Sequence, residues 1–294
     1  MRVLSENIND DNGGHMSKEL QPVNSKAINL KDIDPSNTGA CDKEKCLLDT
    51  TKFSRELSVL QESMYAAQSN GVLIVLQGMD TSGKDGTVSH VFSSVNPQGC
   101  AVASFKVPTP QEALHDFLWR AHAHTPSRGQ ITIFNRSHYE DVLVTRVHKL
   151  VDKKVCEQRY EHIRNFEKLL TDNNTIILKF FLHIGKDEQK ERLLAREQDA
   201  SKAWKLSSGD WEERKFWDEY QTAYEDAIAA TSTKNAPWYI IPADHKWYRN
   251  YIIGKTLVET LSEYKDEWQD ALAAMGKARL KELEVMRSGK TNGS

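Results

Sequence analysis

Residues 72–86 read Val-Leu-Ile-Val-Leu-Gln-Gly-Met-Asp-Thr-Ser-Gly-Lys-Asp-Gly. An apolar run rich in β-branched residues enters a G-x-x-x-x-G-K loop, after which Val88, Val91 and Phe92 recur at helical spacing. Strand, glycine loop and helix in that order are the context that makes the pattern a phosphate-binding loop. Gly78 and Gly83 let the chain wrap closely round an anion, and the loop and helix start, Gly78, Met79, Thr81, Ser82, Gly83, Lys84, Asp85 and Gly86, present N–H groups and the positive end of a helix dipole to it. Lys84 is placed to reach a transferred phosphoryl group as a compact cation. The residue after it is Asp85, where an ordinary loop of this kind has a Ser or Thr that binds magnesium. Asp80, inside the loop, is the candidate metal ligand in its place; its other reading is a turn-forming Asp bonded to local backbone.

Working outward, short apolar runs alternate with longer helical patterns, which indicates a parallel sheet covered by helices. The expected strands are 72–77, 101–107, 131–134, 175–184 and 238–241. Helical spacing marks Phe53, Leu57, Leu60 and Met64; Leu114, Phe117, Leu118 and Ala121; and Tyr160, Ile163, Phe166, Leu169 and Leu170. The stripe Trp217, Tyr220, Tyr224 and Ile228 reads as core. A polar stretch, 1–36, is expected to be a disordered tail. Residues 37–275 form the catalytic unit with a helical lid at about 186–218, and 276–294 a helix end and frayed tail.

The strand 131–134 delivers Asn135-Arg136-Ser137-His138-Tyr139-Glu140-Asp141 to the carboxyl edge of the sheet, where ligands gather in doubly wound folds. Arg136 offers a planar fork to phosphate oxygens, and Glu140 and Asp141 offer carboxylates for magnesium or its water shell. Acidic residues also favour helix starts, so a plain solvated turn is the competing reading. Asn135 stands where such a strand ordinarily ends in a metal-binding Asp. In the lid, Arg192 and Arg196 lie one helical turn apart, with Lys202 and Lys205 beyond them. Acids balance the bases there, so position rather than charge suggests a phosphate-guiding role, against a plain solvated helix.

The formal net charge of -3 argues against a nucleic-acid binder, and no apolar run is long enough for a membrane helix. The polar start has no signal-peptide core, so the expectation is a cytoplasmic protein. Cys41, Cys46, Cys100 and Cys156 are too scattered for a disulfide framework, and Cys41 and Cys46 read as ordinary thiols rather than zinc ligands.

Taken as an ordered set, G-M-D-T-S-G-K-D-G, V-N-P-Q-G, S-F-K-V-P-T, F-N-R-S-H-Y-E-D-V-L, L-K-F-F-L-H-I and W-Y-I-I-P-A-D-H-K-W-Y-R-N resemble the second family of polyphosphate kinases over roughly residues 30–264. The resemblance implies a three-layer α/β/α P-loop kinase fold with a central parallel sheet and a helical lid. It further implies Mg2+, with Mn2+ as a substitute, and phosphoryl transfer from inorganic polyphosphate to AMP, ADP, GMP or GDP. Homodimers or homotetramers are implied as well, with no nucleic-acid partner. The family's loop aspartate and lysine fall on Asp80 and Lys84, and its arginine on Arg136. Asp80, Lys84, Arg136 and Glu140 are then the catalytic set, Asp80 and Glu140 the metal ligands, and Arg120, Asn135 and Asp141 the nucleotide contacts. Arg192, Arg196, Lys202 and Lys205 take the polyphosphate. The H-Y-E-D form around Glu140 resembles the subgroup that accepts both mono- and diphosphates. Ala203 departs from a basic residue common in the lid of relatives. An ATP-dependent nucleoside monophosphate kinase and a non-catalytic polyphosphate- or nucleotide-binding module are the alternatives.

Overall fold

The computed structural model describes residues 22–24, 27–199 and 208–288. Five strands form one parallel sheet: β1 (Gly71–Gln77), β2 (Cys100–Ser104), β3 (Ile131–Asn135), β4 (Thr175–His183) and β5 (Trp238–Pro242), in the order β2-β3-β1-β4-β5. Between them run α1 (Lys43–Ala67), α2 (Lys84–Val91), α3 (Trp119–His122), α4 (Val144–Val147), α5 (Lys153–Asp172), α6 (Lys186–Gln198), α7 (Ser208–Arg214), α8 (Trp217–Thr231), α9 (Lys246–Ser262) and α10 (Lys265–Arg287).

Every residue of β1 and β4 is buried. Strands covered on both faces lose the polar alternation of a half-exposed sheet, so both read as unbroken apolar runs. The register pairs Leu76 with Asn135 on one side and Phe180 on the other, so the P-loop leaves the sheet centre beside the residues that follow β3. Helices α1, α9 and α10 pack together, and α5 and α8 pack together with α4, giving the expected α/β/α sandwich. The stripe Trp217, Tyr220, Tyr224 and Ile228 is buried core.

Four expectations change. Strand β2 ends at Ser104, not at 107: Phe105 N–H bonds Asn135 O at the last rung, and Val107 is 89% exposed. The helix expected over 114–121 is broken into a 3-10 turn at Glu112–Leu114 and the short α3, because Asp116 Oδ1 takes the Leu118 N–H at 2.9 Å and closes a local turn in competition with the helix. Residues 27–36 are packed rather than a free tail: Leu30 is buried, its N–H bonds Glu225 Oε1 at 2.7 Å, and Ile33 O bonds His183 Nε2. Cys41 and Cys46 are a disulfide, not ordinary thiols. Asp42 caps α1, and this helix start holds their Cα atoms 6.6 Å apart, within bridging reach. Helix α10 runs unbroken past residue 276. Among the described residues no helix is long and apolar enough to cross a membrane.

Candidate active site

The P-loop is held in a conformation that side chains resist. Gly78 and Gly83 have φ of 152° and 103°, and Thr81 between them has φ 63°. A Cβ on Gly78 would lie 2.7 Å from Leu182 O, so the loop start is pressed against β4. Lys84 Nζ donates back to Gly78 O at 2.6 Å and Met79 O at 3.2 Å, spanning the loop. Burial, then the Arg136 cation, brings its pKa down to about 8 against the pull of Asp80, Glu140 and Asp85. The ammonium is thus poised to exchange carbonyls for phosphate oxygens.

The end of β3 turns sharply: Arg136 has φ 60°, while its N–H still bonds Leu76 O at 3.1 Å. This non-glycine positive φ, like that of Thr81, marks backbone held by its surroundings. The turn swings the guanidinium over the P-loop, where Nη2 lies 2.6 Å from Asp80 Oδ1 and Nη1 lies 3.8 Å from Glu140 Oε2. Gln77 Nε2 donates to Glu140 Oε1 at 3.1 Å. Burial pushes the Glu140 carboxyl up, opposed by Arg136 and Lys84. All four expected catalytic residues therefore converge.

The other expected residues divide. Asn135 Nδ2 donates to Asp85 Oδ1 at 2.9 Å, tying β3 to the start of α2. Arg120 is buried and bonded to Lys106 O at 2.7 Å and Asp141 Oδ2 at 3.3 Å, while Arg159 donates to Asp141 O at 2.6 Å. The structure therefore occupies Arg120 and Asp141 with each other. Arg192 is bound by its whole guanidinium: Nη1 to Thr81 O at 3.0 Å, Nη2 to Ala243 O and Asp244 O at 2.8 and 2.7 Å, Nε to Glu188. It braces the P-loop's carbonyls. Arg196 pairs with Asp210 at 3.1 Å, joining α6 to α7. Lys202, Ala203 and Lys205 lie outside the described residues.

A family model described as Polyphosphate kinase 2 matches residues 40–269. The chain belongs to the polyphosphate kinase 2 family. It is 54% identical to an AMP/ADP-polyphosphate phosphotransferase of Meiothermus ruber over 79% of this chain and 88% of the relative. It is 44% identical to an ADP-polyphosphate phosphotransferase of Rhodopseudomonas palustris over 79% and 83%. The crystal structure of polyphosphate kinase 2 from Arthrobacter aurescens TC1 superposes with a TM-score of 0.81 at 42% identity, covering 83% of this chain and 88% of that one. A polyphosphate kinase fold on a P-loop makes this protein a phosphotransferase.

Within that family frame, sequence reasoning passed over Arg249, Gln189 and Tyr224. Arg249 of α9 is buried and donates to Ser82 O at 3.0 Å. Gln189 donates to Asp80 O at 3.1 Å, fixing the loop from α6. Tyr224, counted as core, sits at Gly78, and burial, then the Glu140 charge, raises its hydroxyl well above the ordinary range. Nothing in a helical apolar stripe distinguishes such a residue from plain core. Arg249 stands in the quoted W-Y-R-N motif, but α9 also carries Lys246 and Lys255, so its charge alone does not single it out.

The residues fit a hard divalent cation. Among the described residues no three His, Cys, Asp or Glu side chains cluster to enclose a metal unaided. Magnesium needs no such cage, since one or two carboxylates with phosphate and water oxygens suffice. Asp80 and Glu140 supply two hard oxygen donors on either side of Arg136, and the buried hydroxyls of Thr81 and Ser82 have no protein partner.

Proposed function

We propose that this chain transfers the terminal phosphoryl group of inorganic polyphosphate to AMP and ADP, and to GMP and GDP, with Mg2+ or Mn2+. The observation that carries the reading is the convergence of Asp80, Lys84, Arg136 and Glu140 on one P-loop, two cations alternating with two carboxylates. The relatives from Meiothermus ruber and Rhodopseudomonas palustris are named for the same class of reaction.

An acceptor phosphate is already anionic near neutral pH, so transfer requires positioning and charge neutralisation rather than a strong general base. The loop N–H groups and the start of α2 hold a phosphate. Lys84 leaves Gly78 O and Met79 O to neutralise its oxygens, and Arg136 spreads the charge that builds on the transferred group. Asp80 and Glu140 would hold the metal, which would supply further neutralisation of phosphate charge. Gln189 and Arg192 keep Asp80 and Thr81 from shifting as the loop loads. A donor panel tests the reading: polyphosphate with AMP or ADP should give product, and ATP with AMP should not replace it. Turnover with ATP alone as donor would establish a nucleoside monophosphate kinase instead.

A further inference from the structure

Arg249 is 2% exposed, yet its hydrogen-bond acceptors among the described residues are all neutral. Nη1 donates to Ser82 O at 3.0 Å, and Nε and Nη2 donate to Asn250 Oδ1 at 3.2 and 2.9 Å. Among the described residues no carboxylate forms a salt bridge with it within 4.0 Å. Its charged neighbour is another cation, Arg192, and burial followed by that repulsion pulls its pKa down to about 10. Buried charges are ordinarily paired, because leaving one unanswered is among the costliest arrangements in a fold.

The guanidinium lies against the P-loop itself. A Cβ on Gly83 would fall 1.8 Å from Nη1, and one on Gly86 would fall 3.3 Å from Nη2. Glycine at 83 therefore leaves the volume that Arg249 fills. Because a peptide unit is planar and trans, fixing Ser82 O toward Arg249 turns the Gly83 N–H the opposite way. One end of the Ser82–Gly83 peptide is thus clamped by a cation, and the other is offered to an anion.

We infer that the counter-ion of Arg249 is the phosphate group taken by the P-loop, and that Arg249 is a positioning residue which aims the Gly83 N–H and holds an unanswered positive charge until that phosphate arrives. Free protein then carries an electrostatic cost that loading removes, so part of the phosphate affinity originates at a side chain that never touches the ligand. The inference rests on the loop being the phosphate site of the proposed reaction, and not on which nucleotide accepts.

Asn250→Asp separates this role from a purely structural one. It keeps the shape and both acceptor contacts to Arg249, but gives the guanidinium a built-in carboxylate. Calorimetric titration of the full chain with tripolyphosphate should show about tenfold weaker binding than wild type. The thermal midpoint of the ligand-free variant should rise by about 2 °C or more. Unchanged affinity would overturn the inference. If the variant melts lower than wild type, Arg249→Lys and Arg249→Met at pH 6.5 decide instead: both lose the fork, and only lysine keeps the charge. Lysine should then retain most of the affinity that methionine loses, and equal losses would overturn the electrostatic role. Wild type that fails to bind tripolyphosphate would overturn the proposed function together with this inference.

Discussion

Arg136 Nη2 lies 2.6 Å from Asp80 Oδ1, joining two residues 56 positions apart at the junction of the P-loop and the end of β3. The same guanidinium reaches Glu140 at 3.8 Å, so one cation stands between two carboxylates that would otherwise repel. A divalent metal at those carboxylates would free Arg136 to turn to the transferred phosphoryl group. Asp80→Asn keeps an oxygen for Arg136 but removes the charge a metal requires. Its half-saturating magnesium concentration should rise by about tenfold, read from initial rates across a magnesium titration. A titration that overlays the wild type would place the metal elsewhere.

Lys84 should be needed mainly as charge develops in transfer, so Lys84→Ala should retain the fold and lose at least about tenfold in turnover. Its pKa near 8 adds a pH signature. In free protein the ammonium is lost as pH rises through about 8, so kcat/KM should fall on that alkaline limb. A bound phosphate restores charge to the lysine, so the limb in kcat should lie at higher pH. The stability effect has the opposite sign. Above about 8 the folded chain has released a proton that the unfolded lysine keeps up to its ordinary value of 10.5, so the cost of burying this charge shrinks across that window. A kcat/KM profile flat to pH 9.5 would show that Lys84 stays charged in the free site.

Beneath the turn that carries Arg136 and Glu140 lies a buried polar network. Lys179 in the middle of β4 and Glu167 of α5 form a fully buried ion pair, and the Tyr139 hydroxyl donates to Glu167 Oε1 at 2.8 Å and lies 2.9 Å from Thr231 Oγ1. Lys179 Nζ also donates to Thr231 O at 2.9 Å and to Tyr139. Lys179→Met should destabilise the protein by about 3–5 kcal/mol in urea unfolding, because it strands the Glu167 carboxylate in the core. Lys179→Met with Glu167→Gln should cost less than Lys179→Met alone, since the pair is removed together. Additive costs in the two single variants and the double would show that the charges do not depend on one another.

The sheet was legible because β1 and β4 are buried on both faces and carry apolar runs that a sequence displays directly. The P-loop was legible because glycines and lysine at fixed spacing encode its shape. Arg136 and Glu140 followed from the rule that strand ends carry ligands. Arg192 was recognised as a site residue from charge and spacing one turn from Arg196, but only the fold shows its guanidinium turned onto Thr81 O, Ala243 O and Asp244 O. Arg120 and Asp141 share that limit, since the sequence does not show that the two pair with each other. The disulfide escaped because its geometry depends on how Asp42 starts α1, which cysteine spacing alone does not specify.

The H-Y-E-D form around Glu140 predicts that acceptor choice turns on this carboxylate. Its carboxylate sits between Gln77 Nε2 at 3.1 Å and the Arg136 guanidinium, and burial opposes its ionisation. A carboxylate held there against its desolvation cost gains most when a cation arrives beside it. A monophosphate acceptor ends one phosphate short of a diphosphate, so drawing it into line with the donor places a greater demand on a metal bridge anchored at this side chain. Glu140→Asn removes the negative charge and one methylene, putting a shorter amide in place of the carboxylate that Gln77 bonds. Polyphosphate-driven phosphorylation of AMP should therefore fall more than that of ADP. The ratio of the two kcat/KM values should shift by more than about tenfold, equivalent to about 1.4 kcal/mol of differential transition-state binding. Steady-state kinetics with both acceptors at saturating magnesium measures that ratio. Equal losses would make Glu140 a metal or scaffold residue common to both reactions and would remove the structural ground for acceptance of monophosphates.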